Sequence, residues 1–558
     1  MKKTVYIFAL ALLLTLTGCA EPKAARSDTG ASGHSDSDSS ASSASSEETA
    51  IVRNPEELFS QRDLEADYNQ TEAIAISLNG NSAACNLEAV AISGSTITIS
   101  QEGTYLLSGT LEQGMVIVNA ADTDKVQLVL DNASIQCDSG APIYVRQADK
   151  VFLTLAPESE NTLTASGEFV QIDDNNIDAA IFSKDDLTLN GSGILNIYSS
   201  SGHGIVSKDD LVITGGTCNI QAARHGLSGK DSVCIADGDF TIDAGTDGIH
   251  SGNEDEPALG FLYIAGGTFH ITAGDDGMHT DADFTLADGF VTISKSYEGI
   301  EGKTILIQDG TVNITSSDDG LNASDGSGSK SSPAGPPSTE ADSSVFLRMT
   351  GGTLTVDAGG DGLDSNGNLY VEGGELYISG SENGGNSALD YNGEGKITGG
   401  TLAAAGFSNM AQNFGDTSSQ GTMLVTFAPQ EAGTEISLIS TQSDTLISYT
   451  PPKQYDSIVF SHPDITSGST YTVRCGTVDT EVTMDATVYG NTSGMPGRFQ
   501  PPESPEGERP EAPDGQIPNT PGGQKPNPPD GQALPDEQAP PDGENPELPG
   551  GQAPPDEV

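Results

Sequence analysis

A short motif that pairs an acid with a second polar residue recurs five times in the middle of the chain. It runs from Thr246 to His250 in its first copy and from Gly360 to Asp364 in its last. In each copy an acid precedes a glycine, and a polar residue follows that glycine by two positions. The acids, which we call the bend column, are Asp247, Asp276, Glu298, Asp319 and Asp361. The polar residues, which we call the polar column, are His250, His279, Glu301, Asn322 and Asp364.

The two columns have the donor chemistry of a calcium site. Carboxylate and amide oxygens suit Ca²⁺, and acids stacked on neighbouring strands about 4.8 Å apart repel by about 1 kcal/mol per pair even in water. A stack of acids therefore favours a bound cation. The predicted calcium ligands are Asp247, Asp276, Glu298, Glu301, Asp319, Asn322, Asp361 and Asp364.

Plain turns and a zinc site are the two alternatives to calcium at these residues. Asp is common before Gly in turns, which accounts for the bend column but leaves the polar column unexplained. A zinc site through His250 and His279 is less favoured, because the two lie on separate repeats and no third ligand is evident beside them. Both alternatives remain open.

A set of lysines follows the same glycines. Lys208, Lys230 and Lys303 each lie four residues after a bend glycine, and Lys184 occupies the matching position one repeat earlier. A lysine or Arg224 beside calcium-bridged carboxylates could abstract the C5 proton of a uronic acid, the first step of β-elimination. We favour solvated turn lysines, so no catalytic residue is predicted.

The elements that carry these motifs form a repeat. Turns such as Gly215-Gly216 and Gly351-Gly352 are followed by apolar residues at alternate positions, which indicates half-buried strands. The base period is 21 to 22 residues. Strands this short, repeated at this period, predict an all-β fold, a right-handed parallel β-helix, over residues 69–420. Residues 421–490 are predicted to form a small β cap or sandwich.

The two ends have the composition of targeting and linker segments. Residues 1–19 resemble a lipoprotein signal peptide in which Cys19 becomes the lipidated N-terminus. Residues 20–68 are Ser-rich and predict a disordered tether, and residues 491–558 are rich in Pro, Gly and acids and predict a disordered tail. We therefore expect an exported lipoprotein on the bacterial cell surface, anchored in the membrane by its N-terminal lipid.

Charge and cysteine content narrow the choice of partners. The formal net charge of −58 excludes a nucleic-acid-binding protein that relies on phosphate contacts. Five cysteines remain after Cys19, with irregular spacing and no CxxC pair, so neither a disulfide framework nor a cysteine zinc site is indicated. We expect a monomer.

Several of these motifs together resemble the clostridial-type carbohydrate-binding β-helix lipoproteins. The resemblance depends on the repeated Gly-Gly-Thr and Asp-Gly-Ile/Leu units, on the segment Ser207 to Leu211, and on Ala141 to Tyr144. It covers residues 70 to 490. It implies a pectate-lyase-like β-helix with bound calcium that binds cellulose and acidic plant polysaccharides such as polygalacturonate, without convincing lyase activity.

Three functions are therefore considered. We favour calcium-dependent binding of polysaccharide at the cell surface. The alternatives are a calcium-dependent pectate lyase that uses a lysine of the set above, and a structural envelope protein or adhesin. The absence of Trp and of an outer aromatic column argues against crystalline cellulose as the ligand.

Overall fold

The computed structural model describes residues 53–256, 258–326 and 341–490. The predictions for the signal peptide with Cys19, for most of the tether and for the tail fall outside these residues. Among the residues described, no helix has the length and apolar character needed to cross a membrane.

Two short helices precede a long series of strands. The helices are α1 (Pro55–Leu58) and α2 (Gln61–Leu64). The first strands are β1 (Ile74–Gly80), β2 (Ala83–Ala84), β3 (Val90–Ser93), β4 (Thr96–Ile99), β5 (Gly103–Leu111), β6 (Met115–Asn119), β7 (Lys125–Cys137), β8 (Ile143–Gln147), β9 (Lys150–Leu155), β10 (Glu160–Ala165), β11 (Ala179–Ser183), β12 (Asp186–Gly191), β13 (Ile194–Ser199), β14 (His203–Ser207), β15 (Asp210–Ile213), β16 (Thr217–Ala222), β17 (Leu227–Gly229), β18 (Ser232–Ile235), β19 (Asp239–Ala244), β20 (Ile249–Ser251) and β21 (Phe261–Ile264).

The second half of the described chain continues the series. Its strands are β22 (Thr268–Ala273), β23 (Met278–Leu286), β24 (Phe290–Lys295), β25 (Ile300–Ile307), β26 (Thr311–Ser316), β27 (Leu321–Ala323), β28 (Phe346–Met349), β29 (Thr353–Ala358), β30 (Leu363–Ser365), β31 (Asn368–Val371), β32 (Glu375–Ser379), β33 (Leu389–Tyr391), β34 (Gly395–Ile397), β35 (Thr401–Gly406), β36 (Thr422–Gln430), β37 (Ile436–Ser440), β38 (Thr445–Tyr449), β39 (Tyr455–Ser461), β40 (Thr470–Cys475), β41 (Val478–Thr483) and β42 (Val488–Tyr489).

Most of these strands belong to a β-solenoid of about 12 turns, so the predicted all-β parallel β-helix is confirmed. Each turn of the solenoid, or coil, contributes one strand to each of three parallel ladders. Ladder A includes β16, β19 and β22; ladder B includes β17, β20 and the start of β23; ladder C includes β15, β18 and β21.

The core consists of apolar residues stacked one per coil. Along ladder A the register joins Cys218 to Phe240, Phe240 to Phe269 and Phe269 to Val291, and all four side chains are buried. The rings of Phe240 and Phe269 stack with centroids 4.8 Å apart, at an interplanar angle of 3°. Cys218 is therefore a core residue.

The described part of the predicted tether lies on ladder C. Phe59, between the two helices, is buried and packs against Tyr263, with ring centroids 6.2 Å apart. Asp63 is also buried, and its Oδ1 atom lies 2.9 Å from Lys150 Nζ. The outer face of ladder C carries apolar side chains there, such as Val212 and Phe261, and this segment covers them.

Beyond β35 the strand direction changes. β39 runs antiparallel to both β35 and β36, and a separate antiparallel sheet has the order β38-β37-β40-β41. Buried residues of the two sheets, including Met423, Ile436, Phe460 and Val473, form a second core. The proposed limits of this C-terminal region, 421–490, stay a prediction.

Candidate functional site

Both motif columns lie where ladder A bends into ladder B. The bend brings successive backbones so close that only glycine fits: a Cβ atom at Gly248 would lie 2.6 Å from the carbonyl oxygen of Gly277. The amide of Gly248 donates to the carbonyl oxygen of Asp276 on the next coil, at 2.9 Å. Close approach therefore explains the repeated glycine, and it aligns the residue before each glycine into a column.

The bend column is held in register by its own side chains. The amide of Asp276 donates to Asp247 Oδ1 (3.3 Å), and the amide of Glu298 donates to Asp276 Oδ1 (3.1 Å). Further along, the amide of Asp361 donates to Asp319 Oδ1 at 2.6 Å. In these acids one carboxylate oxygen binds backbone, and the other remains available for a second partner.

The polar column lies on ladder B beside the bend column. Parallel pairing aligns its members in succession, with the pairs His250–His279, His279–Glu301, Glu301–Asn322 and Asn322–Asp364. All eight predicted calcium ligands therefore lie along one edge of the solenoid. Their role as ligands stays a prediction.

Three residues of this edge escaped the sequence analysis. His203 and His225 precede the bend glycines Gly204 and Gly226, so they continue the bend column upstream of Asp247. Asp390 pairs with Asp364 and continues the polar column downstream. Gly204 and Gly226, from which the positions of Lys208 and Lys230 were counted, directly follow the two histidines and could have identified them from the sequence. Asp390 was missed because its copy of the motif has Ala388 where the other copies have glycine.

The imidazole rings form a stack along four coils. The centroids of His203 and His225 are 4.7 Å apart, those of His225 and His250 are 4.5 Å apart, and those of His250 and His279 are 5.1 Å apart. Burial is the main cause that lowers the pKa of His203 to about 3, so this ring is neutral at ordinary pH.

Carboxylates contact the imidazole rings in two groups along the stack. In the first, Asp247 Oδ2 lies 3.1 Å from His225 Nδ1 and 2.9 Å from His250 Nδ1. In the second, His279 Nδ1 lies 3.0 Å from both Asp276 Oδ2 and Glu301 Oε2. Burial opposes the charge on His279, but hydrogen bonds to Asp276, Asp281 and Glu301 outweigh it and raise the pKa of the ring to about 12.

The downstream half of the edge contains carboxylates with few cationic neighbours. Burial first, and neighbouring carboxylates second, raise the pKa of Glu298 to about 9, of Asp361 to about 7 and of Asp364 to about 8. Asn322 Nδ2 donates a hydrogen bond to Glu298 Oε2 at 2.9 Å. The buried Oδ1 atom of Asn322 has no hydrogen-bond partner among the described residues. A cation would provide that oxygen with a partner and allow the acids to ionise, so these residues fit Ca²⁺.

A cavity of about 240 Å³ adjoins the histidine half of the edge. It is lined by His203, His225 and His250 together with Lys208 and Lys230. Lys230 Nζ also lies 2.9 Å from Asp255 Oδ2. Of the lysine set, Lys184 and Lys303 are not among the residues that line this cavity, and Arg224 instead lies near Asp178, with Nη1 3.9 Å from Oδ2.

A second, larger cavity of about 490 Å³ lies on the outer side of ladder A. Tyr198, whose side chain is 47% exposed, lines it together with Gln221 and Asp243. Because ladder A stacks these residues on successive coils, they form a short groove along the solenoid.

Comparison with known proteins shows what part of this solenoid is similar to. The family model described as carbohydrate-binding domain-containing protein matches residues 93–331. A carbohydrate-binding domain-containing protein of Acetivibrio thermocellus is 34% identical over 139 residues, or 25% of this chain and 49% of that protein. The chain thus spans about half the length of this curated relative.

A solved structure is also similar to this chain. It is the gadolinium derivative of a polysaccharide lyase-like protein from C. thermocellum. The match has 32% sequence identity and a TM-score of 0.41, and it covers 44% of this chain and 97% of that one. The match of the family model to residues 93–331 confirms the resemblance noted from the sequence.

Proposed function

We propose that this chain binds polysaccharide in a calcium-dependent manner, with acidic glycans such as polygalacturonate as the preferred ligands. The match to a carbohydrate-binding family model and to one relative supports polysaccharide binding in general. The observation that carries the calcium dependence is the downstream half of the edge, where half-buried carboxylates adjoin the unpartnered oxygen of Asn322.

Charge explains why a cation is needed. A chain with a net charge of −58 repels a polyuronate, and a calcium ion that binds acids of both partners removes that repulsion locally. The candidate ligands are Glu298, Asp319, Asn322, Asp361 and Asp364, with Asp390 added from the structure. When bound, the ion supplies positive charge to which a uronate carboxylate can bind.

The carboxylates of the histidine half are also included in the calcium proposal. Asp247, Asp276 and Glu301 remain predicted calcium ligands, but each has an oxygen within 3.1 Å of an imidazole nitrogen. The acid-only half therefore has more oxygen donors that are free for a hard cation.

The location of the protein enters as a further part of the proposal. We infer that the chain is exported and held at the cell surface through lipid on Cys19. Metabolic labelling with a fatty-acid analogue, with a Cys19→Ala variant as control, tests the anchor independently of glycan binding.

Calorimetric titration of polygalacturonate tests the proposed binding. We expect saturable heat with CaCl₂, no heat with a chelator, and a large loss of affinity in Asp361→Asn/Asp364→Asn. The control is Asp275→Asn, which removes an exposed acid close to the edge but outside both columns. Equal binding with and without calcium would overturn the calcium dependence, and absence of binding to acidic and neutral glycans alike would favour a structural protein or adhesin.

The cavity with Lys208 and Lys230 supports one alternative function. Two amines beside the columns are the arrangement that a calcium-dependent lyase would use to take a proton from a uronate. Release of unsaturated oligosaccharide, followed by ultraviolet absorbance, would distinguish cleavage from binding. Loss of that signal in Lys208→Ala or Lys230→Ala, but not in the exposed Lys184→Ala, would assign the base.

A further inference from the structure

The histidine half of the edge has donors that differ from those of the acid half. His225 Nδ1, Asp247 Oδ2 and His250 Nδ1 all lie within 4.8 Å of one another. Two are imidazole nitrogens from successive coils, and the third is an oxygen of a buried carboxylate. Imidazole suits divalent transition ions such as Zn²⁺, Ni²⁺ and Cu²⁺, whereas carboxylates and amides suit Ca²⁺.

Several polar atoms converge on His225 Nδ1, among them the hydroxyl oxygen of Thr246 at 2.9 Å. The amide of Asp247 donates to His225 Nδ1 at 3.3 Å, so that nitrogen acts as an acceptor. The same nitrogen lies 3.1 Å from Asp247 Oδ2, which is also an acceptor. A proton on Nδ1 would resolve this contact but would leave the Asp247 amide facing an N–H group. A cation beside both atoms would also remove the repulsion between them, and the lone pair of Nδ1 would then bind the ion in place of the Asp247 amide.

The spacing of the donors also fits a small ion. Ligands of a tetrahedral ion with bonds of about 2.0 Å lie about 3.3 Å apart. The contacts of Asp247 Oδ2 with the two ring nitrogens, at 3.1 and 2.9 Å, are close to that value. The two rings are stacked at an interplanar angle of 15°, so they must turn towards each other for both nitrogens to bind one ion.

The surroundings provide an open coordination position. His225 and His250 line the cavity of about 240 Å³, so an ion between them would face solvent on one side. Three protein ligands and one open position are typical of zinc sites that bind water or a small anion. Lys208 and Lys230 line the same cavity and would favour an anionic ligand there.

We propose that His225, Asp247 and His250 form a binding site for a divalent transition-metal ion, with Zn²⁺ as the representative, separate from the calcium proposed downstream. The adjacent group of Asp276, His279 and Glu301 has one imidazole and two carboxylates, which is a less suitable donor set for Zn²⁺. The site does not depend on polysaccharide binding.

Calorimetric titration of ZnCl₂ into the full chain, prepared without a histidine tag and with no glycan present, tests the site. We expect one strong binding event that excess CaCl₂ does not abolish. His225→Ala and His250→Ala should each weaken binding at least about tenfold, the lower bound for loss of even an outer partner of a metal ligand. His270→Ala, which removes an exposed histidine on β22, should bind like the wild type.

Co²⁺ provides a second measurement that needs no variant. Visible absorption of a Co²⁺ complex reports nitrogen coordination and four-coordinate geometry, and ZnCl₂ should displace it. Circular dichroism identifies any variant that fails to fold, and His225→Gln then replaces His225→Ala. Absence of zinc binding to the wild type, or equal binding by the His225, His250 and His270 variants, would overturn the site. Either result leaves the calcium-dependent titration with polygalacturonate unaffected, so the two proposals fail independently.

Discussion

At the residue scale, the bend glycines show how a backbone constraint produces a chemical pattern. A glycine is required where coils approach each other, and the residue before it is then placed on the edge in every coil. The sequence therefore predicted which acids stack, because the glycines fix their positions. It did not predict His203 and His225, because the motif was defined by an acid and not by the position before the glycine.

Replacement of a bend glycine should destabilise the solenoid without any loss of polar contacts. In Gly248→Ala the new methyl group would lie 2.6 Å from Gly277 O and 2.5 Å from Ile271 Cγ2, so the coils must separate. We expect the free energy of unfolding to fall by about 1–3 kcal/mol, the usual effect of overpacking. Chemical denaturation measures it.

The control for this prediction is Gly385→Ala. A Cβ atom at Gly385 has only the side chain of Asn383 nearby, at 3.2 Å, so little change is expected. Equal stability of the Gly248 and Gly385 variants would show that the coil contact is not the reason for glycine in the bend.

At the element scale, the ladders were predictable because their period is regular. Turns with Gly-Gly and apolar residues at fixed offsets recur through the solenoid, and stacking follows from parallel pairing. The course of β39 was not predictable, because its apolar residues alternate like those of any other strand. Nothing local in its sequence specifies an antiparallel partner.

Removal of one aromatic ring from ladder A should test the stacked core. Phe269→Ala removes a fully buried ring that stacks on Phe240. Such changes lower the free energy of unfolding by about 3–5 kcal/mol. Phe290→Ala, in which the lost ring is 64% exposed, is the matched control and should change stability little. Thermal and denaturant unfolding should both rank the two variants in this order.

The antiparallel strand β39 should protect the last coil, because it pairs with β35. Ile458 is buried and aligns with Ala405 of β35. Ile458→Ala should therefore lower the free energy of unfolding by about 2–5 kcal/mol. It should also increase the rate of hydrogen exchange more for the β35 amides than for the amides of β16. Val478→Ala, with a side chain 59% exposed on β41, should leave exchange in β35 unchanged. Unchanged exchange in the Ile458 variant would mean that β39 does not stabilise the last coil.

At the scale of the whole molecule, the carboxylates in the downstream half of the edge make the stability of the fold depend on pH. The pKa values of Glu298, Asp361 and Asp364 are raised to about 9, 7 and 8, above those of the unfolded chain. The folded state then holds protons that the unfolded state has lost. Without divalent cations, stability should fall as pH rises from about 4 towards 8, because that is where the unfolded acids are already ionised.

Calcium should reverse this trend. The ion binds ionised carboxylates of the folded chain, so its effect on the melting temperature should be large at pH 8 and small at pH 5. Differential scanning calorimetry with CaCl₂ or a chelator at both values measures it. In Asp361→Asn/Asp364→Asn the difference should shrink, whereas Asp275→Asn should behave like the wild type. A calcium effect that is the same at both pH values would contradict the carboxylate site.

The antiparallel course of β39 also has a consequence for assembly. A parallel β-helix that ended at β35 would present a row of unpaired amides and carbonyls, on which a second copy could continue the ladder. β39 occupies that edge in the opposite direction, and β36 pairs with its other side. We therefore expect the end of ladder A to be closed to a second copy, which opposes growth of this repeat into a fibre through that ladder.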